Sequence, residues 1–247
     1  MIKKILPFIL IFIFSGCAEL QQIARDIETP RPLTNQEVIN GLRQALVIGS
    51  DSASKRLAEV DGYYRDELVR ILLPPEAEII TRNLSLLPGG EKLIEDVILR
   101  INRAAEDAAR EAAPVFARAV TNMTIQDGFD ILRGENDAAT KYLRSRTFDE
   151  LFSLYQPKIQ NSLDRPLIGN VSASDSWNTL TSQWNRLAGS AVGRISDLKT
   201  VDTQLDRHLT NQALDGLFLK LAVEEEKIRT NPAARVTDLL RRVFGQG

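Results

Sequence analysis

Hydrophobic positions recur along this chain at three- and four-residue intervals, a spacing that predicts helices. Val38, Leu42, Ala45 and Leu46 form the first stripe, opened by the capping box Thr34-Asn35-Gln36-Glu37 and stopped by Gly49. Ser50 or Asp51 then opens a short second helix with Ala53, Leu57 and Val60 inward, ended by Asp61-Gly62. Tyr63 to Pro75 is a connector, because Pro74-Pro75 drives Leu73 out of the α region. A third helix is predicted over 75–86, broken by Pro88-Gly89-Gly90. The longest periodic stretch covers 91–122. Its stripe is Ile94, Val97, Ile101, Ala105, Ala108, Ala112, Val115, Ala119 and Met123, and Pro114 within it predicts a kink or break one turn upstream. Alanine in the middle of the stripe lets a neighbouring backbone come close.

Thr124 opens a short helix ended by Gly134. Asn136 or Asp137 opens the next, which carries Ala139, Tyr142, Leu143, Leu151, Phe152 and Tyr155 up to Pro157, with one more short helix from Pro157 to Leu163. Residues 164–176 read as a loop rich in Gly, Ser, Asn, Asp and Pro. Trp177, Leu180, Trp184 and Leu187 share a helical face, and Gly189 to Gly193 is a flexible break. Leu205, Leu209, Ala213, Leu217, Leu221 and Ile228 stripe a long helix over 201–229, widened by Leu214 and Phe218. Asn231-Pro232 opens the last helix, with Val236, Leu239, Leu240 and Val243 inward and Arg241 and Arg242 near its end. No segment alternates apolar and polar residues, so no strands are expected, and no fixed-period repeat occurs. The expected fold class is all-α: a single multi-helix, bundle-like domain over 34–247.

The amino end has a different pattern. Met1-Ile2-Lys3-Lys4 is a basic start, and Ile5 to Phe14 is an apolar run too short to cross a bilayer as a helix. Basic region, short apolar region and small residues together make a secretory signal. Phe14-Ser15-Gly16-Cys17 resembles a bacterial lipobox, with Phe14 where Leu is usual. The resemblance implies cleavage before Cys17 and attachment there of a diacylglycerol thioether and an N-acyl chain. Residues 1–16 are then a lipoprotein signal peptide and 17–33 a lipidated tether. Two or more acyl chains anchor stably where one is marginal. An Asp after the lipid site would suggest inner-membrane retention in enterobacteria. Ala18 stands there, so the expected place is the outer membrane, facing the periplasm, with the inner membrane and the cell surface as alternatives.

Composition narrows the function classes. With 43% hydrophobic residues among 247, the chain is not of the disordered class. Its 14 Gly, 10 Pro and single Cys exclude collagen-like and disulfide-scaffold chains. The formal charge is −2, and loss of Lys3 and Lys4 makes it −4, so nucleic acid is not an expected partner.

Little catalytic chemistry is visible. His208 is the only histidine, which excludes di-iron sites built on Glu-x-x-His pairs and His-Glu-x-x-His zinc sites. Phosphate-binding glycine loops, dinucleotide fingerprints, nucleophile elbows and EF-hand calcium loops are missing from the sequence as well. No cofactor, no metal site and no catalytic residue is therefore assigned. His208, beside the stripe of the long C-terminal helix, reads as a boundary histidine with one satisfied nitrogen. Asp107 and Glu111, four apart, could contribute to a carboxylate-only metal site, although surface carboxylates at this density are ordinary. Glu225 and Arg229 are an i,i+4 pair within an acidic run. Arg103, Glu106, Arg144, Glu225, Arg229, Arg235 and Asp238 lie close to apolar stripes and form a candidate buried ionic network at helix junctions; a basic pocket for an anionic ligand is the functional alternative. Trp177 and Trp184, seven apart, read as core, or as a contact with membrane or partner.

Several strings resemble an uncharacterised bacterial lipoprotein family known as domain of unknown function 4197. They include Leu33 to Val38 with Gly41-Leu42, Val60 to Tyr64, Asn102 to Glu106, Met123 to Ile125 and Ala138 to Leu143. The most specific run is Ala213 to Phe218, then Glu224 to Arg229, Asn231 to Arg235, Thr237 to Leu240 and Phe244-Gly245. The stretch 164–200 departs most from the family pattern. The resemblance implies a helical, exported, often lipid-anchored protein and brings no catalytic residues. Two functional expectations stand together. The first is a lipid-anchored binding or structural module with an envelope protein or lipid as partner. The second is a carboxylate- and arginine-based enzyme, or a carrier with an apolar-ligand site between helices.

Overall fold

The long apolar stripes form helices in the computed structural model, which describes residues 32–78, 81–82, 88–168, 170–195 and 197–245. The domain is all-α. Helix α1 runs Asn35–Ala58, α2 Gly90–Ala109, α3 Ala112–Thr121, α4 Ile125–Arg133 and α5 Ala138–Leu163. Then come α6 Ala173–Gly189, α7 Ala191–Ile195, α8 Leu205–Thr230 and α9 Asp238–Phe244. Gln36–Gly247 is one compact unit. The signal segment, Cys17 and most of the tether lie outside the described residues.

Helix α5 is the central element and packs on α8, α2, α3 and α4. Ala139, at the start of α5, bonds Glu225 near the end of α8, while Gln156 bonds Asp206 near its start, so the two run antiparallel. Ala105, Ala108, Ala109 and Ala112 are fully buried against this pair. The chain breaks at Arg110-Glu111 between α2 and α3, one turn upstream of Pro114 as its missing N–H requires. Leu209, Leu214, Leu217, Phe116, Leu143, Leu151, Tyr155 and Tyr63 fill the centre of the core.

Four local expectations need correction. Gly49 and Ser50 do not interrupt α1, so no second helix opens there, and Val60, expected inward, lies beyond the helix end at Ala58 and is 75% exposed. Gly49 and Ser50 are both buried within α1, and a Cβ on Gly49 would lie 3.6 Å from Ile228 Cδ1, so packing on α8 outweighs the weak helix propensity of glycine. Pro157 does not end α5; it and Ser153 are both exposed, so the missing hydrogen bond falls on the solvent side of the helix. Within the expected loop, strands β1 (Pro166–Ile168) and β2 (Val171–Ser172) pair antiparallel, a hairpin too short for alternation to show in the sequence. Asn231 caps only the 3-10 turn Pro232–Ala234. Thr237 caps α9 instead, leaving Val236 exposed before the helix and Leu240 buried within it.

Candidate functional site

The segment that leaves α1 at Ala58 passes over α2 and α8 as an irregular strap, residues 59–74, and buried polar groups fix its backbone. Asp61 adopts a left-handed φ of 72°. Glu106, 4% exposed, accepts the Tyr63 N–H at 3.2 Å and the Tyr64 N–H at 3.3 Å on one oxygen. Its other oxygen accepts Arg103 Nη1 at 2.6 Å, and Arg103 Nη2 donates to Asp61 at 2.6 Å. The guanidinium therefore stands between two carboxylates and offsets the negative charge of both. The Glu106 hydrogen bond is also the main reason that this arginine holds its proton more firmly than usual. Asn102 clamps Ile71 like a strand partner, accepting its N–H at 2.9 Å and donating to its carbonyl at 2.8 Å. Buried Lys220 pairs with Asp66, and Gly216 of α8 lies beneath the strap, where a Cβ would stand 3.1 Å from both Tyr63 and Val69. Tyr63 Oη donates to the Ala213 carbonyl at 2.9 Å, and burial drives its pKa well above that of an ordinary phenol.

This framework presents an outer face. Val60 is 75% exposed, Leu68 70% and Leu72 about half. Val60 and Leu68, with Arg56, Glu59, Arg65 and Glu67, line an open depression of about 500 Å³.

The second buried carboxylate is Glu225. Asp137, the residue before α5, provides no side-chain cap. Glu225 does so from α8: its oxygens accept the Ala139 N–H at 3.0 Å, the Thr140 N–H at 2.8 Å and the Thr140 hydroxyl at 2.9 Å. Arg229 donates to it through Nε and Nη2, and also to the Ile131 carbonyl at the end of α4. A carboxylate at the positive end of a helix is stabilising in itself. The gap beside it, bounded by Leu46, Leu143, Leu221 and Phe244, holds about 20 Å³.

The candidate ionic residues therefore fall into separate groups. Arg103 joins Glu106, and Glu225 joins Arg229. Arg235 reaches the second group by donating to the Ile228 and Arg229 carbonyls at the end of α8. Arg144 lies outside both, paired with Asp215 at 2.6 Å and stacked over Phe148 and Phe218. Asp238 is exposed at the start of α9 and pairs with Arg241. Asp107 and Glu111 share Lys158, and among the described residues no cluster of histidine, cysteine or acids could hold a metal ion. His208 Nε2 lies 2.6 Å from Gln212 Nε2. Trp177 is buried, whereas Trp184 is half-buried and donates to the Lys199 carbonyl. Asp61, Asn102 and Lys220 are structural residues without a sequence signal, since their partners are 31 to 154 positions away.

The family described as Protein of unknown function (DUF4197) matches residues 32–245, a span that includes both carboxylate groups and the strap. The chain belongs to this family. No curated protein and no solved structure matches it. For this DUF4197 member, the geometry itself is the guide to function.

Proposed function

We propose that the chain is a lipid-anchored, periplasm-facing interaction module of the bacterial cell envelope, which binds a partner protein through the strap at 59–72. One observation carries the binding reading: Val60 and Leu68 are exposed on a backbone clamped by Glu106, Asn102 and the Lys220–Asp66 pair. Exposed apolar side chains on a loose loop would pay ordering entropy on association, and a clamped strap avoids it. The mixed charges of Arg56, Glu59, Arg65 and Glu67 around them suit the polar rim of a protein interface. The placement rests on Phe14-Ser15-Gly16-Cys17 and on Ala18. Glu106 and Glu225 each hold two backbone N–H groups and an arginine, a commitment that favours the module over an enzyme using these acids. The gap of about 20 Å³ beside Glu225 has room for a water and falls short of a carrier's cavity.

The test is a photocrosslinking residue in place of Leu68 in intact cells. A discrete protein adduct, lost in Val60→Asp, is expected; adducts with lipids or small molecules alone would overturn the binding reading. Mass spectrometry of the mature amino end is expected to show an acylated Cys17. An unmodified thiol, or another start site, would overturn the placement.

A further inference from the structure

A second exposed apolar feature differs in chemistry from the strap. Helix α6 ends at Gly189, Ser190 caps the turn, and α7 doubles back against it. The contact is tight: a Cβ on Gly193 would stand 2.2 Å from the Leu187 carbonyl oxygen. The Leu198 N–H returns to the Gly193 carbonyl, and Trp184 Nε1 ties the outgoing chain at Lys199. The result is a closed tip at one end of α6, held by its own backbone.

What this tip presents is apolar and basic. Val192 is 65% exposed and Ile195 86%, and three residues apart they share a face of α7; Leu187 is half exposed beside them. Arg186, Arg194 and Lys199 are exposed around them and form no salt bridge among the described residues, and Asp197 is the one acid between 184 and 200. A local basic excess on a chain of net charge −2 complements an anionic surface. Aliphatic tips ringed by arginine and lysine, with a tryptophan one layer behind, match the layering of a bilayer interface. There, apolar groups enter the acyl boundary, cations meet lipid phosphates and indole sits at headgroup depth.

We infer that the α6–α7 tip is a membrane-contact element, in which Val192 and Ile195 enter the outer acyl layer of an anionic lipid surface while Arg186, Arg194 and Lys199 engage its phosphates. The inference rests on the envelope reading only for a membrane's being within reach. It makes the tip a second attachment, distinct from the acyl chains expected at Cys17. An interfacial contact is shallow, consistent with the finding that no helix among the described residues is long and apolar enough to cross a membrane.

The test uses the full chain in vesicles of phosphatidylethanolamine and phosphatidylglycerol with brominated acyl chains, followed by indole emission. Trp184 is expected to be quenched, with quenching abolished by Ile195→Asp and weakened by Arg194→Glu or by replacing phosphatidylglycerol with phosphatidylcholine. A vesicle-bound chain with unquenched indole would overturn the tip while leaving the anchor intact. If the amino end proves to carry no lipid, flotation alone decides. Vesicle binding that falls about tenfold in Ile195→Asp, the effect of removing one aliphatic side chain from the acyl layer, supports the tip. No binding by the parent chain overturns it. A photocrosslinking residue in place of Val192 that captures protein instead of lipid also overturns it.

Discussion

Glu225 and Thr140 lie on different helices, yet the carboxylate of the first accepts both the N–H and the hydroxyl of the second, at 2.8 and 2.9 Å. The start of α5 is thus capped in trans from α8. Removing the acid strands Arg229 with a positive charge at a buried junction, so Glu225→Ala is expected to destabilise the domain by about 3 kcal/mol. Glu225→Gln keeps the volume and part of the hydrogen bonding and is expected to cost about 1–2 kcal/mol. Urea unfolding of both variants, with Arg229→Ala and the double variant, checks this. The double variant should be less destabilised than the sum of the singles, because removing both partners leaves no orphan charge.

Glu106 is expected to act locally rather than globally. Its replacement by Gln removes the ion pair with Arg103 and weakens the bonds to the Tyr63 and Tyr64 amides, which hold the strap against α2. Hydrogen exchange should then accelerate at Tyr63, Tyr64 and Ile71 while protection in α5 and α8 changes little. Uniformly faster exchange would show that the strap and the core open as one unit.

The helices were legible because their stripes are long: Ala105, Ala108 and Ala112 fall on one face at helical spacing, and all are buried. The break before Pro114 was legible because a missing N–H acts within one turn. Gly49 and Pro157 misled because tertiary contact decides there, α8 packing on Gly49 and open solvent at Pro157. The Ser172-x-x-Asp175 capping box was a readable signal for the start of α6 hidden in a loop-like composition. Glu106 and Glu225 stood out as acids beside apolar stripes. Their partners could not be read, since Tyr63 is 43 positions from Glu106 and Ala139 is 86 from Glu225.

Acid sensitivity should come in part from two helix starts. Asp127 accepts the Thr124 N–H and Asp175 the Ser172 N–H, and in each case this backbone bond is the main cause of a carboxyl pKa below the usual range. A depressed folded-state pKa contributes stability above the unfolded value, near 3.9 for Asp, and that stability is lost as pH falls through the folded value. The free energy of unfolding should therefore decline on acidification below about pH 5, and less steeply in Asp127→Asn and Asp175→Asn. Urea titrations across that range measure the slopes.

Pro157 offers a gain. An interior helical proline is less favourable than alanine by about 3 kcal/mol, while its stiffening of the unfolded chain returns about 0.4–1 kcal/mol. The balance predicts that Pro157→Ala raises stability by about 2 kcal/mol, with the Ser153 carbonyl regaining a donor. A lower thermal midpoint would mean that Pro157 itself is needed to seat Ile159 and Leu163 in the core.

Tyr155 is fully buried beside Tyr63, and its hydroxyl lacks a well-formed hydrogen bond of its own. Tyr63 already donates to the Ala213 carbonyl, so replacing Tyr155 with Phe leaves no new donor stranded. Removing an unsatisfied buried hydroxyl at nearly constant volume should stabilise the fold by about 1 kcal/mol, where a satisfied tyrosine would lose a similar amount. The pH dependence provides an independent check. Burial raises both phenol pKa values in the folded state, so their contribution is complete below the unfolded value near 10 and is lost as pH rises beyond it. Tyr155→Phe removes one of the two groups that must ionise on unfolding. Its stability should therefore fall less steeply above pH 10 than that of the parent chain, as measured by urea unfolding at successive alkaline pH values. A parallel decline in both proteins would mean that Tyr155 does not ionise on unfolding in that range.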